Sequence, residues 1–304
     1  MASLRAIFAS ILLWPAGCTT PAGNPTPPPD SAFYLHEGVK IHFKEVGAGR
    51  PLVFIHGFGT SLETWRFIAP PLERQFRLVL LDLKGHGLSD RPLDERYSIQ
   101  AQAEIVLGLM RHLHLKQAVL VGHSFGAAVA VRAALEDGAR ELVSGLVLIG
   151  GSLDADRLPF AFNLLRAPLL GWLSLKLTTA SFRTRMMLKR VYHDDSKVTD
   201  DLVELYAKYQ RGAGAHYMLL KTAQQIVPPD LRLLEAKARK MELPAINIWG
   251  TQDKVITRAS AEAVCGVLRN CAFIALEGVG HIPQEEAPEQ VVVLLKEFLR
   301  SGLN

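Results

Sequence analysis

The segment Gly122-His123-Ser124-Phe125-Gly126 constrains this chain more than any other. It follows the apolar run Ala118–Val121 and leads into the alanine-rich stretch Phe125–Leu135, so one serine sits between a strand and a helix. Flanking glycines suit a turn so crowded that a side chain on either side would strike the neighbouring strand or helix. A serine held there offers its hydroxyl beside a helix N-terminus, whose partial positive charge favours an anion forming nearby. The pattern alone is short enough to arise by chance. Its weight depends on partner groups elsewhere in the chain.

Such partners are present. Asp253 follows the apolar run Ala245–Trp249, and His281 follows Ala272–Leu276. Each falls in a loop beyond the carboxyl end of a predicted buried strand, where open α/β sheets place their sites. The order Ser124, Asp253, His281 is the one expected of a nucleophile elbow followed by its acid and its base. Asp154 and Asp156, after the preceding strand, are the fallback acids. A fourth element, His56-Gly57-Phe58-Gly59, follows the strand Leu52–Ile55 at the place for an oxyanion loop. His56 reads as organising that loop, His123 as packing under the elbow, and His86 in the Asp82–Ser89 loop as structural.

Continuous apolar runs recur at Leu52–Ile55, Arg77–Leu81, Ala118–Val121, Leu142–Ile149, Ala245–Trp249 and Ala272–Leu276, as in strands covered on both faces. Phe33–His36 and Lys40–Val46 read as a leading pair of strands. Helical stretches alternate with the runs at Ser98–His112, Phe125–Leu135, Arg258–Leu268 and Pro288–Leu299, and Ser98 suits an N-cap. Such alternation predicts right-handed crossovers and an α/β fold with a mostly parallel sheet. With 304 residues, 49% of them hydrophobic and 21% charged, there is material for one sizeable core.

On these four motifs the chain resembles the α/β-hydrolase fold family of serine hydrolases, esterase- or lipase-like, over residues 32–304. The resemblance implies a core of residues 32–151 and 241–304, with a helical cap, residues 152–240, inserted after the sixth strand. It implies Ser124 as nucleophile, His281 as general base, Asp253 as its orienter, and the backbone N–H groups of Phe58 and Phe125 as the oxyanion hole. Phe58, Phe125 and Trp172 are the expected substrate contacts, since Phe160–Leu173 in the cap is unusually apolar. A small ester with a hydrophobic acyl or aryl group is the expected substrate, with no metal and no organic cofactor. Relatives that open epoxides or carbon–halogen bonds carry an aspartate where Ser124 stands. Carbon–carbon hydrolases keep the serine but usually have a longer glycine-proline oxyanion loop than His56–Ser61. Perhydrolase, thioesterase and carbon–carbon hydrolase chemistry, or a catalytically silent binding lipoprotein, stay open on the same motifs.

The first eighteen residues are of another kind. Arg5, an apolar stretch from Ala6 to Trp14, and Pro15-Ala16-Gly17-Cys18 read as an export signal ending in a sequence similar to a bacterial lipobox. Cys18 is then the expected lipid attachment, and Thr19 after it favours the outer membrane, facing the periplasm or the cell surface. Residues 19–31 hold five prolines and little charge, a semi-rigid tether. Cys265 and Cys271, six positions apart, are either a disulfide or two buried thiols. A net charge of +4 gives no reason to expect nucleic acid, and the basic run Arg183–Arg190 reads first as a solvated helix face. No obligate protein partner is implied.

Overall fold

The computed structural model describes residues 25–152 and 160–301. The export signal with Cys18, tether residues 19–24, and Asp154 and Asp156 lie outside the described residues.

Eight strands form one sheet: β1 (Ala32–His36), β2 (Val39–Val46), β3 (Arg50–Ile55), β4 (Phe76–Leu81), β5 (Ala118–His123), β6 (Val143–Ile149), β7 (Ala245–Gly250) and β8 (Cys271–Leu276). Their spatial order is β1-β2-β4-β3-β5-β6-β7-β8. The leading hairpin pairs antiparallel to itself and to β4, and every later pairing is parallel. Side chains alternate between two cores. Val53 and Ile55 point into one with Leu120, while Leu52 and Phe54 point into the other with Val119 and Val121. Both faces are covered by helices, which is why these strands read as unbroken apolar runs.

The helices are α1 (Ala69–Glu73), α2 (Ile99–His112), α3 (Phe125–Ala134), α4 (Phe160–Arg166), α5 (Pro168–Leu177), α6 (Ala180–Val191), α7 (Asp200–Ala207), α8 (Ala215–Gln224), α9 (Leu231–Ala238), α10 (Arg258–Val267), α11 (Pro283–Glu286) and α12 (Pro288–Ser301). Ser98 caps α2 by accepting from the Ala101 N–H, and Thr179, Thr199 and Thr257 do the same for α6, α7 and α10. Six helices, α4–α9, fill the interval between β6 and β7. Most of them pack around two small clusters, one built on Tyr192 and Tyr206 with Ile282 and one on Leu175 and Met218 with Tyr97.

Cys265 of α10 and Cys271, the first residue of β8, are joined as a disulfide with Cα atoms 4.9 Å apart. Of the two readings open to the sequence, the bonded one is present. Among the described residues no helix is long and apolar enough to cross a membrane.

Candidate active site

Ser124 sits at the junction of β5 and α3 with φ 52° and ψ −115°, and its N–H donates to the Ile149 carbonyl at 2.9 Å. The turn closes only because its neighbours lack side chains. A β-carbon on Gly126 would stand 2.1 Å from the Ile55 carbonyl oxygen, and one on Gly122 would stand 2.4 Å from that of Gly126. Phe125 opens α3, so its N–H is among the first-turn groups without an intrahelical acceptor.

The structure brings the three distant side chains together. Ser124 Oγ–H donates to His281 Nε2 at 3.0 Å, and His281 Nδ1–H donates to Asp253 Oδ2 at 2.7 Å. The other carboxylate oxygen of Asp253 accepts the N–H groups of Val255 at 2.6 Å and Ile256 at 2.8 Å. Asp253 is thereby fixed, with its side chain fully buried, and holds the imidazole in the tautomer whose Nε2 faces the serine. This is the arrangement that turns a neutral alcohol into a nucleophile: hydroxyl to base, base to orienting acid.

Two supports of His281 escape sequence reasoning. His123, beside the nucleophile in the chain, donates its Nε2–H to the His281 carbonyl at 2.9 Å. Burial, and then the neighbouring His281, push the His123 imidazole down to about 3, so it stays neutral and braces without carrying charge. The His281 N–H donates in turn to the carbonyl of Val191, the last residue of α6, at 2.7 Å. No local signal in the sequence announces either contact, because the partners lie 158 and 90 positions away.

His56 is wholly buried and ties its loop together: Nδ1–H donates to the Gly57 carbonyl at 2.7 Å, and Nε2 accepts the Leu83 N–H at 3.0 Å. Burial holds its pKa below the ordinary histidine value. His86 is likewise buried, pushed down to about 3 by desolvation and then by His56. Both are framework groups.

A cavity of about 980 Å³, counting solvent at its mouth, includes Ser124 in its wall. It follows one face of α3 through Phe125, Ala128, Val131 and Leu135, a span of about 15 Å at 1.5 Å per residue. Leu231, Leu234 and Ala238 of α9 face it, with Phe162 of α4 and Val255 and Ile256 beyond the acid. Among the described residues the one cation of the lining, Arg132, gives its N–H groups to Glu136, Asp230 and Gln100 at 2.6–2.7 Å.

Two expected substrate contacts need correction. Trp172 is 48% exposed on α5, with Lys176 near its ring, and takes no part in the cavity wall. α5 is apolar nearly all round, so its sequence gave no sign of which face turns inward. Phe58 stands one layer back: its ring packs on Phe162 with centroids 4.9 Å apart, and Phe162 forms the wall. Phe125 does line the cavity.

A second Ser–His–Asp alignment lies in the leading hairpin. Ser31 Oγ is 2.9 Å from His42 Nε2, and His42 Nδ1 is 2.7 Å from Asp82 Oδ2. Its acid serves the framework, accepting the N–H groups of Leu62 at 2.8 Å and Leu88 at 2.9 Å. Despite full burial, the His42 hydrogen bond and the nearby His56 hold Asp82 below the ordinary carboxylate range. Ser31 lines neither the Ser124 cavity nor the cleft beside Tyr34 and His36, and it caps none of the helices given above. The cluster locks the hairpin to the Asp82–Ser89 loop. Among the described residues no group of three or more His, Cys, Asp or Glu is placed to hold a metal ion.

Comparison with known proteins agrees with this geometry. Residues 50–288 match the model of a family described as alpha/beta hydrolase fold. The chain is 28% identical over 277 residues, 87% of this chain and 96% of the other, to the uncharacterized hydrolase YugF of Bacillus subtilis. It is 26% identical over 268 residues to the 2-hydroxymuconate semialdehyde hydrolase of a Pseudomonas species, covering 86% of this chain and 91% of that one. In structure it is similar to an esterase from Exiguobacterium antarcticum, with TM-score 0.75, 20% identity, and 88% and 99% of the two chains covered.

Proposed function

Because the chain belongs to the alpha/beta hydrolase fold family, we propose that it is a serine hydrolase cleaving carboxylic esters of apolar acids through an acyl-enzyme on Ser124. The observation that carries this reading is a Ser124–His281–Asp253 hydrogen-bond chain opening onto an apolar cavity. Ser124 Oγ attacks the acyl carbon while its proton passes to His281 Nε2. The oxyanion accepts from the backbone N–H groups of Phe125 and Phe58, and one such donor is worth about 10²–10³ in turnover. Collapse expels the alcohol, which takes the proton from His281. Water, giving its proton to the same nitrogen, then attacks the acyl carbon and frees the acid and the serine.

Carbon–carbon bond hydrolysis on the same triad is the second reading, favoured by the sequence likeness to a 2-hydroxymuconate semialdehyde hydrolase. A carboxylate-bearing substrate would call for an uncommitted cation in the cavity, and among the described residues the lining's one cation, Arg132, is engaged by Glu136, Asp230 and Gln100. That favours a neutral apolar acyl group.

A series of p-nitrophenyl esters tests the choice. Each methylene buried along α3 is worth about 0.8 kcal/mol, so kcat/KM rises up to about fourfold per carbon from acetate to the length that fills the cavity. Flat or falling values beyond acetate, or faster cleavage of a vinylogous diketone than of any ester, would overturn the reading.

We also propose that the protein is exported and lipid-anchored at Cys18. The composition of residues 1–18 supports this, as does the Cys265–Cys271 bond, which is at home in an oxidising compartment. Cys18→Ser is expected to move the protein from the membrane fraction to the soluble one after a high-salt wash. Labelled palmitate incorporated equally by wild type and Cys18→Ser would sink the anchor.

A further inference from the structure

Seven of the thirteen large apolar side chains exposed among the described residues fall between positions 169 and 186. α5 packs inward by a narrow stripe. A β-carbon on Gly171 would come 2.6 Å from the Leu165 carbonyl, and Leu175, one turn on, is buried with Met218 and Leu219. Its other faces present Leu169, Leu170, Trp172, Leu173 and Leu177 to the outside, each at least 40% exposed. A helix on the surface of a soluble domain carries polar residues there. α6 continues the pattern with Phe182 and Met186, four residues apart and both more than half exposed. Arg183 ties the two helices at their corner by donating to the Leu175 carbonyl at 3.1 Å.

Charge gives the patch its partner. Residues 157–193 include seven lysines and arginines and no aspartate or glutamate. Arg185 is paired with Asp200, and Arg166, Lys189 and Arg190 are exposed on α6 and the end of α4. A two-fold interface between copies of this chain would set this surface against itself, cation on cation. An anionic lipid surface satisfies both halves of the pattern, apolar side chains below the headgroups and cations among them.

We propose that α5 and the outer face of α6 form an interfacial membrane-binding element that lies flat in an anionic leaflet. The apolar side chains of α5 enter the headgroup–acyl boundary, and Lys189 and Arg190 rest at phosphate depth. This site is independent of which bond the triad cleaves. It also explains why Trp172 faces away from the cavity.

The test uses the full chain with vesicles of phosphatidylcholine, alone or with about a quarter phosphatidylglycerol, some carrying bromine-labelled acyl chains. Trp65 and Trp249 are buried in the core and Trp14 is common to both proteins, so the quenching lost in a Trp172→Phe variant belongs to Trp172. That lost component is expected to be large on anionic vesicles and at least fivefold weaker on neutral ones. Lys189→Glu/Arg190→Glu is expected to weaken it at least fivefold, and Leu170→Glu/Leu173→Glu at least tenfold. Quenching identical in wild type and Trp172→Phe, or indifferent to lipid charge, overturns the proposal. So does a stable dimer by sedimentation in which Trp172 is shielded from a soluble quencher.

Discussion

Replacing Ser124 with alanine is expected to lower kcat by on the order of 10⁵–10⁶ while leaving the fold intact. His281→Ala should cost about as much, and the double variant no more than either single one, since the two side chains work as one unit through a 3.0 Å hydrogen bond. Covalent labelling by a fluorophosphonate reads the same chemistry directly. Wild type and Ser31→Ala should label, because the Ser31–His42–Asp82 alignment serves the framework; Ser124→Ala should not. Label retained in Ser124→Ala would remove the nucleophile from this position. Additive losses in the double variant would separate the histidine from the serine's chemistry.

The second large effect concerns Glu285. Its buried carboxylate accepts from Thr64 Oγ1 at 2.8 Å, Arg66 Nη2 at 2.5 Å, Tyr192 Oη at 2.6 Å and the Tyr206 hydroxyl. Thr64 and Arg66 belong to the segment after β3, whereas Tyr192 and Tyr206 come from the helical insertion, so this one group clasps the two parts. Burial, and then the Glu285 charge, raise both tyrosine hydroxyls well above their ordinary range, which keeps them donors. Glu285→Ala takes this acceptor from Arg66 Nη2 and from the hydroxyls of Thr64, Tyr192 and Tyr206, at a cost of about 3–5 kcal/mol. That corresponds to a fall in Tm of about 10 °C for a domain of this size. Turnover should fall as well, because Tyr192 adjoins Val191, whose carbonyl holds the His281 N–H. Glu285→Gln, which keeps two acceptor lone pairs, should lose less of both. Denaturant midpoints for the two variants decide the matter, and a loss below about 1 kcal/mol for the alanine variant would show that the clasp is unimportant.

The sheet and the elbow are legible in the sequence because their causes are local. Strands covered on both faces must be apolar without interruption, and only glycine fits at positions 122 and 126. Asp253 and His281 are legible for the same reason, each marked by the strand it follows. What the sequence hides is relational. Glu285 meets Tyr206 across 79 positions and Thr64 across 221, and neither spacing leaves a periodic trace. α5 hides its orientation for a different reason, since a helix apolar on every side carries no asymmetry to read. The order of the strands, with β4 between β2 and β3, is likewise set by packing rather than by any one segment.

The backbone at Ser124, with φ 52° and ψ −115°, lies where glycine rests easily and a side-chain-bearing residue does not. Holding such a conformation costs about 1–3 kcal/mol. The residue proposed as the nucleophile therefore also loosens the fold. A glycine at 124 would give a sturdier but inert protein, so any selection for heat resistance alone would drift toward losing the hydroxyl.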